Sequence, residues 1–339
     1  MIDEWKLAAS APAVLVTVAI SEGSVPRGPG TRMMVGQSEF AGTVGGGHLE
    51  LRAIEIGRAM LHDGRARHFE RFPLGPSLGQ CCGGVVQLAF ERADAAEANL
   101  LDARRGADSW RLSSFDGAAE SALFVGDGVQ LAGAVGAPVF TRTRGSHMMQ
   151  AQDGRRWLVT QVAAPPNHLL LFGAGHVGTA LIRALAPLPC TVTWVDERAD
   201  LFPSLVPANV TVEATDAPED LVAGAPAGAS YLVMTHSHAL DQRVTEAILA
   251  RADVGWFGLI GSKTKRMQFE HRLRARGFDA ARIDAMACPI GLPGIDGKEP
   301  AIIAASVSAQ LLMLWQSAAQ AGVRNTAVTP DTRLVGAAT

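Results

Sequence analysis

The sequence predicts an α/β protein in which a mixed α+β domain precedes a C-terminal, doubly wound parallel sheet. Three observations carry that prediction. An apolar run, Leu169-Leu170-Leu171-Phe172, leads into Gly173-Ala174-Gly175-His176-Val177-Gly178 and then into an amphipathic stretch through Leu181, Leu185 and Leu188. Strand-like segments at about 168–172, 191–195, 210–213, 231–235 and 256–260 alternate with helical ones, the rhythm of a parallel sheet covered on both faces. Before Ala164-Pro165-Pro166-Asn167 the rhythm differs, with short strands set between glycine-rich turns.

In chain order, Val14 to Ile20 is rich in β-branched residues and reads as a strand, and Ser21 to Gly30, with its prolines and glycines, as a loop. Thr31 to Val35 and Ala41 to Val44 resume the extended pattern. Gly45-Gly46-Gly47 then opens onto a helix over 48–61, with Leu51, Ile54, Arg58 and Leu61 on one stripe. Val85 to Phe90 reads as a strand, Ala93 to Arg105 as a helix, and Trp110 to Val162 as a β meander with a tight turn at Asp127-Gly128. The paired prolines stop neighbouring elements and mark a boundary. The expected domains are therefore 1–163 and 164–322, each long enough to bury its own core, with 323–339 as a flexible tail. A helix from Pro300 to Ala318 closes the second domain, its proline suited to the first turn.

Composition narrows the function. A net charge of −3 gives no general attraction for polyanions, so nucleic acid is not an expected partner. The opening Met-Ile-Asp-Glu-Trp-Lys has acids where an export signal needs bases. The most apolar run, Ala301 to Trp315, is broken by Ser306, Ser308 and Gln310 and falls short of the ~20 residues of a bilayer span, so it reads as a buried helix and no membrane is expected. The expected location is the cytoplasm, where Cys81, Cys82, Cys190 and Cys288 would be free thiols. Their spacing matches neither a zinc knuckle nor a dithiol redox motif.

Several constellations carry chemistry. In the glycine loop, Gly173 permits the tight turn, Gly175 lets the backbone approach a phosphate, and Gly178 lets helix and strand pack. The amides at the helix start, His176 included, then favour an anion. The context is that of a Rossmann-type nucleotide- or cofactor-binding domain, and Asp196, 18 residues beyond Gly178, stands where an acid accepts from a ribose hydroxyl. A second turn, Gly258 to Ser262, opens a helix whose first turn holds Lys263, Lys265 and Arg266. A phosphate there and a solvated face capped by Ser262 are equally compatible readings. His236 and His238 fall on one side if their strand continues, with Asp241 just beyond. Ligand contact is favoured over a metal site, for which two histidines and one carboxylate are few.

In the front domain, Gln80-Cys81-Cys82-Gly83-Gly84 leaves two thiols sterically reachable, able to touch a soft metal or carry sulfur, although a buried cysteine is often only a small apolar residue. Gly45-Gly46-Gly47-His48-Leu49-Glu50 is another glycine turn onto a helix, either an anion site or a tight connection with Glu50 in a favourable first turn. The chain has no Tyr-x-x-x-Lys pair, P-loop, nucleophile elbow or His-Glu-x-x-His helix.

Six short motifs in order resemble the XdhC/CoxI family of xanthine dehydrogenase accessory proteins. They are Ser24-Val25-Pro26-Arg27, Gly42 to Glu50, Gly79 to Gly84, the Gly173 loop with Val195-Asp196, Thr235 to His238, and Cys288-Pro289-Ile290-Gly291-Leu292. The likeness spans about 13–312, and Trp110 to Val162 matches nothing in it. The resemblance implies a chaperone rather than a turnover catalyst. Such a protein binds molybdenum cofactor (molybdopterin), holds it while a cysteine desulfurase supplies sulfur, and inserts it into xanthine dehydrogenase or a related molybdenum hydroxylase. It further implies a homodimer, Cys82 as the first candidate for contact with molybdenum and Cys81 as the second, and the pterin phosphate at the Gly173 turn or the Lys263 helix start. Asp196 leaves a dinucleotide form of the cofactor open. Two other readings stand beside it: an NAD(P)-dependent oxidoreductase, on the strength of the glycine loop and Asp196, and a nucleotide-sensing regulatory module without chemistry.

Overall fold

The computed structural model describes residues 4–75, 83–326 and 334–335. The chain divides between Ala164 and Pro165 into two compact units, the first of which also takes in residues 334–335.

The first unit opens with α1 (Glu4–Ser10), β1 (Val14–Glu22), β2 (Arg32–Val35), β3 (Phe40–Gly42), α2 (Gly47–Asp63), β4 (Arg67–Pro73) and β5 (Val85–Arg92). The strands form an antiparallel sheet in the order β3-β2-β1-β5-β4. Side chains alternate along β1, so Val14, Val16 and Val18 face α2 while Leu15 joins a separate cluster with Trp5 and Leu101. The buried stripe of α2 is Leu49, Ala53, Ile56 and Met60. This corrects the expected stripe in part: Ile54 and Leu61 pack at the edge of the core, but Leu51 is 52% exposed, because packing against the sheet turns the 49/53/56/60 row inward. In this part of the chain α1 and β4 escaped the sequence reading. The latter is a charged edge strand, Arg-His-Phe-Glu-Arg-Phe-Pro, with no clean two-residue period.

A helix, α3 (Ala95–Ala103), follows, capped by Asp94, which accepts from the Glu97 amide at 2.8 Å. Next come β6 (Ser109–Ser114), β7 (Ser121–Val125), β8 (Gln130–Gly133), β9 (Phe140–Thr141), β10 (His147–Gln150) and β11 (Arg156–Val162). Their sheet order is β10-β11-β6-β7-β8. The region is thus not a simple meander, because β11 returns to pair with β6 and β9 leaves the sheet. Buried charges join the two sheets. Arg111 Nη1 donates to both oxygens of Glu91 at 2.9 and 2.8 Å, Arg67 reaches Glu91 at 2.8 Å, and Arg111 also pairs with Glu97.

The second unit contains β12 (Asn167–Phe172), α4 (His176–Leu185), β13 (Cys190–Asp196), β14 (Val210–Ala214), β15 (Ser230–Val233), α5 (His238–Ala250), β16 (Trp256–Leu259), α6 (Lys263–Ala275), α7 (Ala280–Ala285) and α8 (Pro300–Thr326). All pairings in its sheet are parallel, in the order β14-β13-β12-β15-β16. One face packs Val244, Ile248, Phe269, Leu273 and Ile283 of α5, α6 and α7; the other packs Leu181, Leu185, Val307 and Leu311 of α4 and α8. The chain runs outward from β12 through β13 to β14 and then crosses to β15 on the other side of β12, so the crevice beyond the carboxyl ends of β12 and β15 lies at a topological switch point.

Helix α8 is longer than its apolar run suggests. Its segment Pro300–Gln320 spans 21 residues and contains an 18-residue stretch of mean hydropathy 1.4, which by length and composition meets a membrane span and corrects the expectation that it falls short. Its inner face belongs to the core of the second unit through Ala304, Val307, Leu311 and Trp315. The polar interruptions bind this domain: the Leu292 amide donates to Ser306 Oγ at 2.7 Å and the Gly291 amide to Gln310 Oε1 at 2.8 Å. The helix also continues to Thr326, past the expected start of the tail, and β17 (Leu334–Val335) pairs with β9.

Candidate functional site

The mouth of the parallel sheet is built around the Gly173 loop, and the end of β13 clamps that loop. Gly173 donates its amide to the Val195 carbonyl at 2.7 Å, Trp194 Nε1 donates to the Gly173 carbonyl at 3.0 Å, and the Ala174 amide donates to Asp196 Oδ2 at 2.7 Å. Three successive residues at the end of β13 thereby bind three successive polar groups of the loop that leaves β12. The glycines divide their roles as their spacing predicts. Gly173 has φ +122°, and a Cβ on it would meet the Met234 carbonyl oxygen at 2.3 Å; a Cβ on Gly178 would meet the Gly173 oxygen at 2.2 Å. A Cβ on Gly175 would meet nothing within 4 Å, so the backbone there faces open space. Gly175 is the N-cap of α4 with no capping side chain, and His176 is exposed at the first helical position.

Asp196 differs from a waiting ribose acceptor. It is 4% exposed, and besides the Ala174 amide it accepts from Arg198: the amide at 3.0 Å and Nε at 2.9 Å on Oδ1, Nη2 at 3.0 Å on Oδ2. Burial pushes its carboxyl up, but the hydrogen bonds from Arg198 and Ala174 outweigh that and hold it below the usual carboxylate range. The partnership of Arg198 was missed in the sequence, although an arginine two residues beyond an acid at a strand end was the available signal.

The histidines are placed differently from the sequence reading. The strand does not continue: β15 ends at Val233, Ser237 caps α5 by accepting from the Leu240 amide at 3.4 Å, and His238 begins the helix. The two-residue strand alternation therefore does not apply to them. Both are exposed, and His236 Nε2 stands 3.3 Å from Glu197 Oε1, linking the loops after β13 and β15 on either side of β12. Asp241 is buried and takes the Thr235 amide at 3.1 Å, the Thr235 hydroxyl at 2.7 Å and Lys265 Nζ at 2.6 Å.

The Lys263 helix start is largely self-contained. Ser262 caps α6 by accepting from the Lys265 amide at 3.3 Å, Lys265 is held by Asp241 and the Ile260 carbonyl, and Arg266 by Glu270 and the Cys288 carbonyl. Lys263 is exposed. Neither described thiol is poised to react: burial pushes the Cys190 thiol up to about 11 and raises that of Cys288, which lies 3.7 Å from the Gly261 carbonyl. Among the described residues no group of three metal-ligating side chains gathers.

In the first unit, three of the motifs converge. Gly84 donates to the Ser24 carbonyl at 3.1 Å, and a Cβ on it would lie 2.8 Å from Val25 Cγ1. A Cβ on Gly45 would lie 2.6 Å from Pro26 Cγ. The Ser24-Val25-Pro26 loop is thus wedged between the end of the cysteine segment and the triple-glycine turn; Cys81 and Cys82 themselves lie outside the described residues. The turn uses φ of +136°, +77° and +61° at Gly45, Gly46 and Gly47, with His48 exposed just inside α2. Its anion is supplied from within: Glu50 Oε2 accepts from the Gly46 amide at 3.3 Å and from the Thr43 hydroxyl, while the Gly45 amide donates to Thr43 Oγ1 at 3.1 Å. The reading of this turn as an open anion site is corrected accordingly.

A Rossmann-type domain with a clamped glycine loop, joined to an antiparallel domain whose glycine motifs meet, defines the class of protein. Comparison with known proteins then gives the family. The XdhC Rossmann domain model matches residues 169–311, and the XdhC and CoxI family model matches residues 6–73. The chain belongs to the XdhC and CoxI family. The uncharacterized protein YqeB of Escherichia coli K12 is 27% identical over 151 residues, 44% of this chain but only 28% of YqeB. A crystal structure described as a xanthine dehydrogenase (BH1974) from Bacillus halodurans shares the fold, with a TM-score of 0.68 at 21% identity over 93% of this chain and 96% of that one.

Proposed function

We propose that this chain binds molybdenum cofactor as cargo, holds it during sulfuration by a cysteine desulfurase, and passes it to a xanthine dehydrogenase or related molybdenum hydroxylase. The observation that carries the reading is the start of α4 in a chain of this family. The loop polar groups before Gly175 are consumed by β13, whereas the amides of Gly175, His176, Val177 and Gly178 precede the first intrahelical bond, from the Thr179 amide to the Gly175 carbonyl at 2.9 Å. Amides so placed, with open space beside Gly175, fit a phosphate ester. Bound molybdenum supplies a thiophilic centre that exchanges an oxo for a sulfido ligand. For that centre Cys82, which directly precedes Gly83-Gly84 as in the family's Cys-Gly-Gly pattern, is the first candidate contact and Cys81 the second, since a sterically reachable thiolate suits a soft metal. The buried, raised thiols of Cys190 and Cys288 do not.

Purification of the full chain from a molybdopterin-making host tests the proposal. Metal analysis and pterin fluorescence are expected to give stoichiometric cofactor, with molybdenum lost in Cys82→Ala and pterin lost in Gly175→Val. Absence of pterin from both the isolated and the reconstituted protein overturns it.

A further inference from the structure

We infer that Asp196 is the positioning residue of the glycine loop and that Arg198 withholds it from ribose, so the mouth of the sheet takes phosphate esters without reading a ribose beside them. The inference rests on the reading of that mouth as an anion site and deepens it. An acid that reads ribose must offer vacant acceptor positions to the hydroxyls. A carboxylate has about four such positions. Asp196 receives four donors, three of them from Arg198 and the fourth the Ala174 amide, and at 4% exposure it leaves no face from which a hydroxyl can approach.

The same contacts act on the loop. Trp194, Val195 and Asp196 hold Gly173 and Ala174 from one side, and this fixes the direction in which the following amides point. Ala174 is thereby removed from the set of free donors, and the anion pocket begins at Gly175. Charge favours the arrangement as well. A bare carboxylate one strand away from a phosphate would repel it, whereas Asp196 paired with Arg198 presents no net charge to the loop. An adenine dinucleotide, which in this fold lays its ribose at the end of the second strand, meets a neutral and saturated pair there.

The test uses the full chain with three ligands, inorganic phosphate, AMP and NAD, titrated by calorimetry, together with hydrogen exchange at the Ala174 amide in ligand-free protein. Asp196→Asn is expected to weaken phosphate and AMP alike, about tenfold, and to speed Ala174 exchange by a similar factor. Arg198→Ala vacates acceptor positions on Asp196 and is expected to raise the preference for AMP over phosphate about tenfold. The inference is overturned if Asp196→Asn weakens AMP and NAD but spares phosphate, if Arg198→Ala leaves that preference unchanged, or if Ala174 exchange ignores Asp196. Failure of the anion-site reading looks different: no ligand then binds the unmodified chain, while Ala174 exchange still responds to Asp196→Asn.

Discussion

The indole nitrogen of Trp194 donates to the carbonyl of Gly173 across 3.0 Å, so a core side chain of the second strand of the parallel sheet holds the turn that leaves the first. Trp194 is fully buried, with its ring set edge-on to Phe202 at 5.0 Å. Trp194→Phe keeps an aromatic side chain but removes the donor and the five-membered ring, leaving a buried carbonyl unpaired beside a small cavity. The expected cost is about 1–3 kcal/mol in urea unfolding. A change below about 0.3 kcal/mol would show that the bond contributes nothing.

The glycines of the loop should separate by the space around each. Gly173→Ala forces a left-handed φ and a clash with the Met234 carbonyl, and Gly178→Ala a clash with the Gly173 carbonyl. Each is expected to lower stability by about 2–4 kcal/mol. Gly175→Ala meets nothing and should leave thermal unfolding within about 0.5 kcal/mol of the unmodified protein. Differential scanning calorimetry distinguishes the three.

The charges between the two antiparallel sheets predict an acid-sensitive first unit. Burial alone would raise the Glu91 carboxyl, but Arg111 and Arg67 outweigh it and hold the group below the usual glutamate range. A carboxyl whose folded value is depressed contributes its stability in full above the unfolded value, about 4.3, and loses it as pH falls through the folded value. Urea midpoints measured from pH 7 downward should therefore fall more steeply below about pH 4 in the unmodified chain than in Glu91→Gln. Glu91→Ala, which takes from Arg111 and Arg67 the buried carboxylate they share and leaves Glu97 as the remaining ion partner of Arg111, is expected to cost about 3–5 kcal/mol at neutral pH.

Thiol chemistry offers a fourth check. Cys190 is wholly buried with its thiol pushed up to about 11, and Cys288 is 2% exposed with its thiol also raised. Mass spectrometry after brief treatment with a maleimide at pH 7 should find both unmodified in the native protein and both labelled in urea. Labelling of Cys288 in the native state would mean that the segment carrying it opens readily.

Much of this architecture was legible in the residues. The strand, glycine loop and helix at Leu169 to Leu185, the five parallel strands and the boundary at Pro165 follow from local periodicity and from glycine and proline chemistry, which depend on near neighbours in the chain. The family was legible as well, because six short motifs in order are a property of sequence. The buried stripe of α2 was not, since the rotation of a helix is decided by what it packs against. The edge strand β4 was hidden by charges on both its faces. The histidines were misplaced because the end of β15 depends on where Ser237 begins to cap α5.

By itself, then, the sequence determined the order and type of most elements, the position of the glycine loop and the family to which the chain belongs. Only the tertiary structure decided which polar groups remain free to act. Asp196 looks vacant in the chain but is saturated by Arg198 and Ala174 once folded. Glu50 fills the glycine turn that seemed to await an anion, and Asp241 and Glu270 engage two of the three cations at the start of α6. The physical reason is that a hydrogen-bonding group's availability depends on which donors and acceptors the fold brings within about 3 Å of it, and no single position in the chain records that.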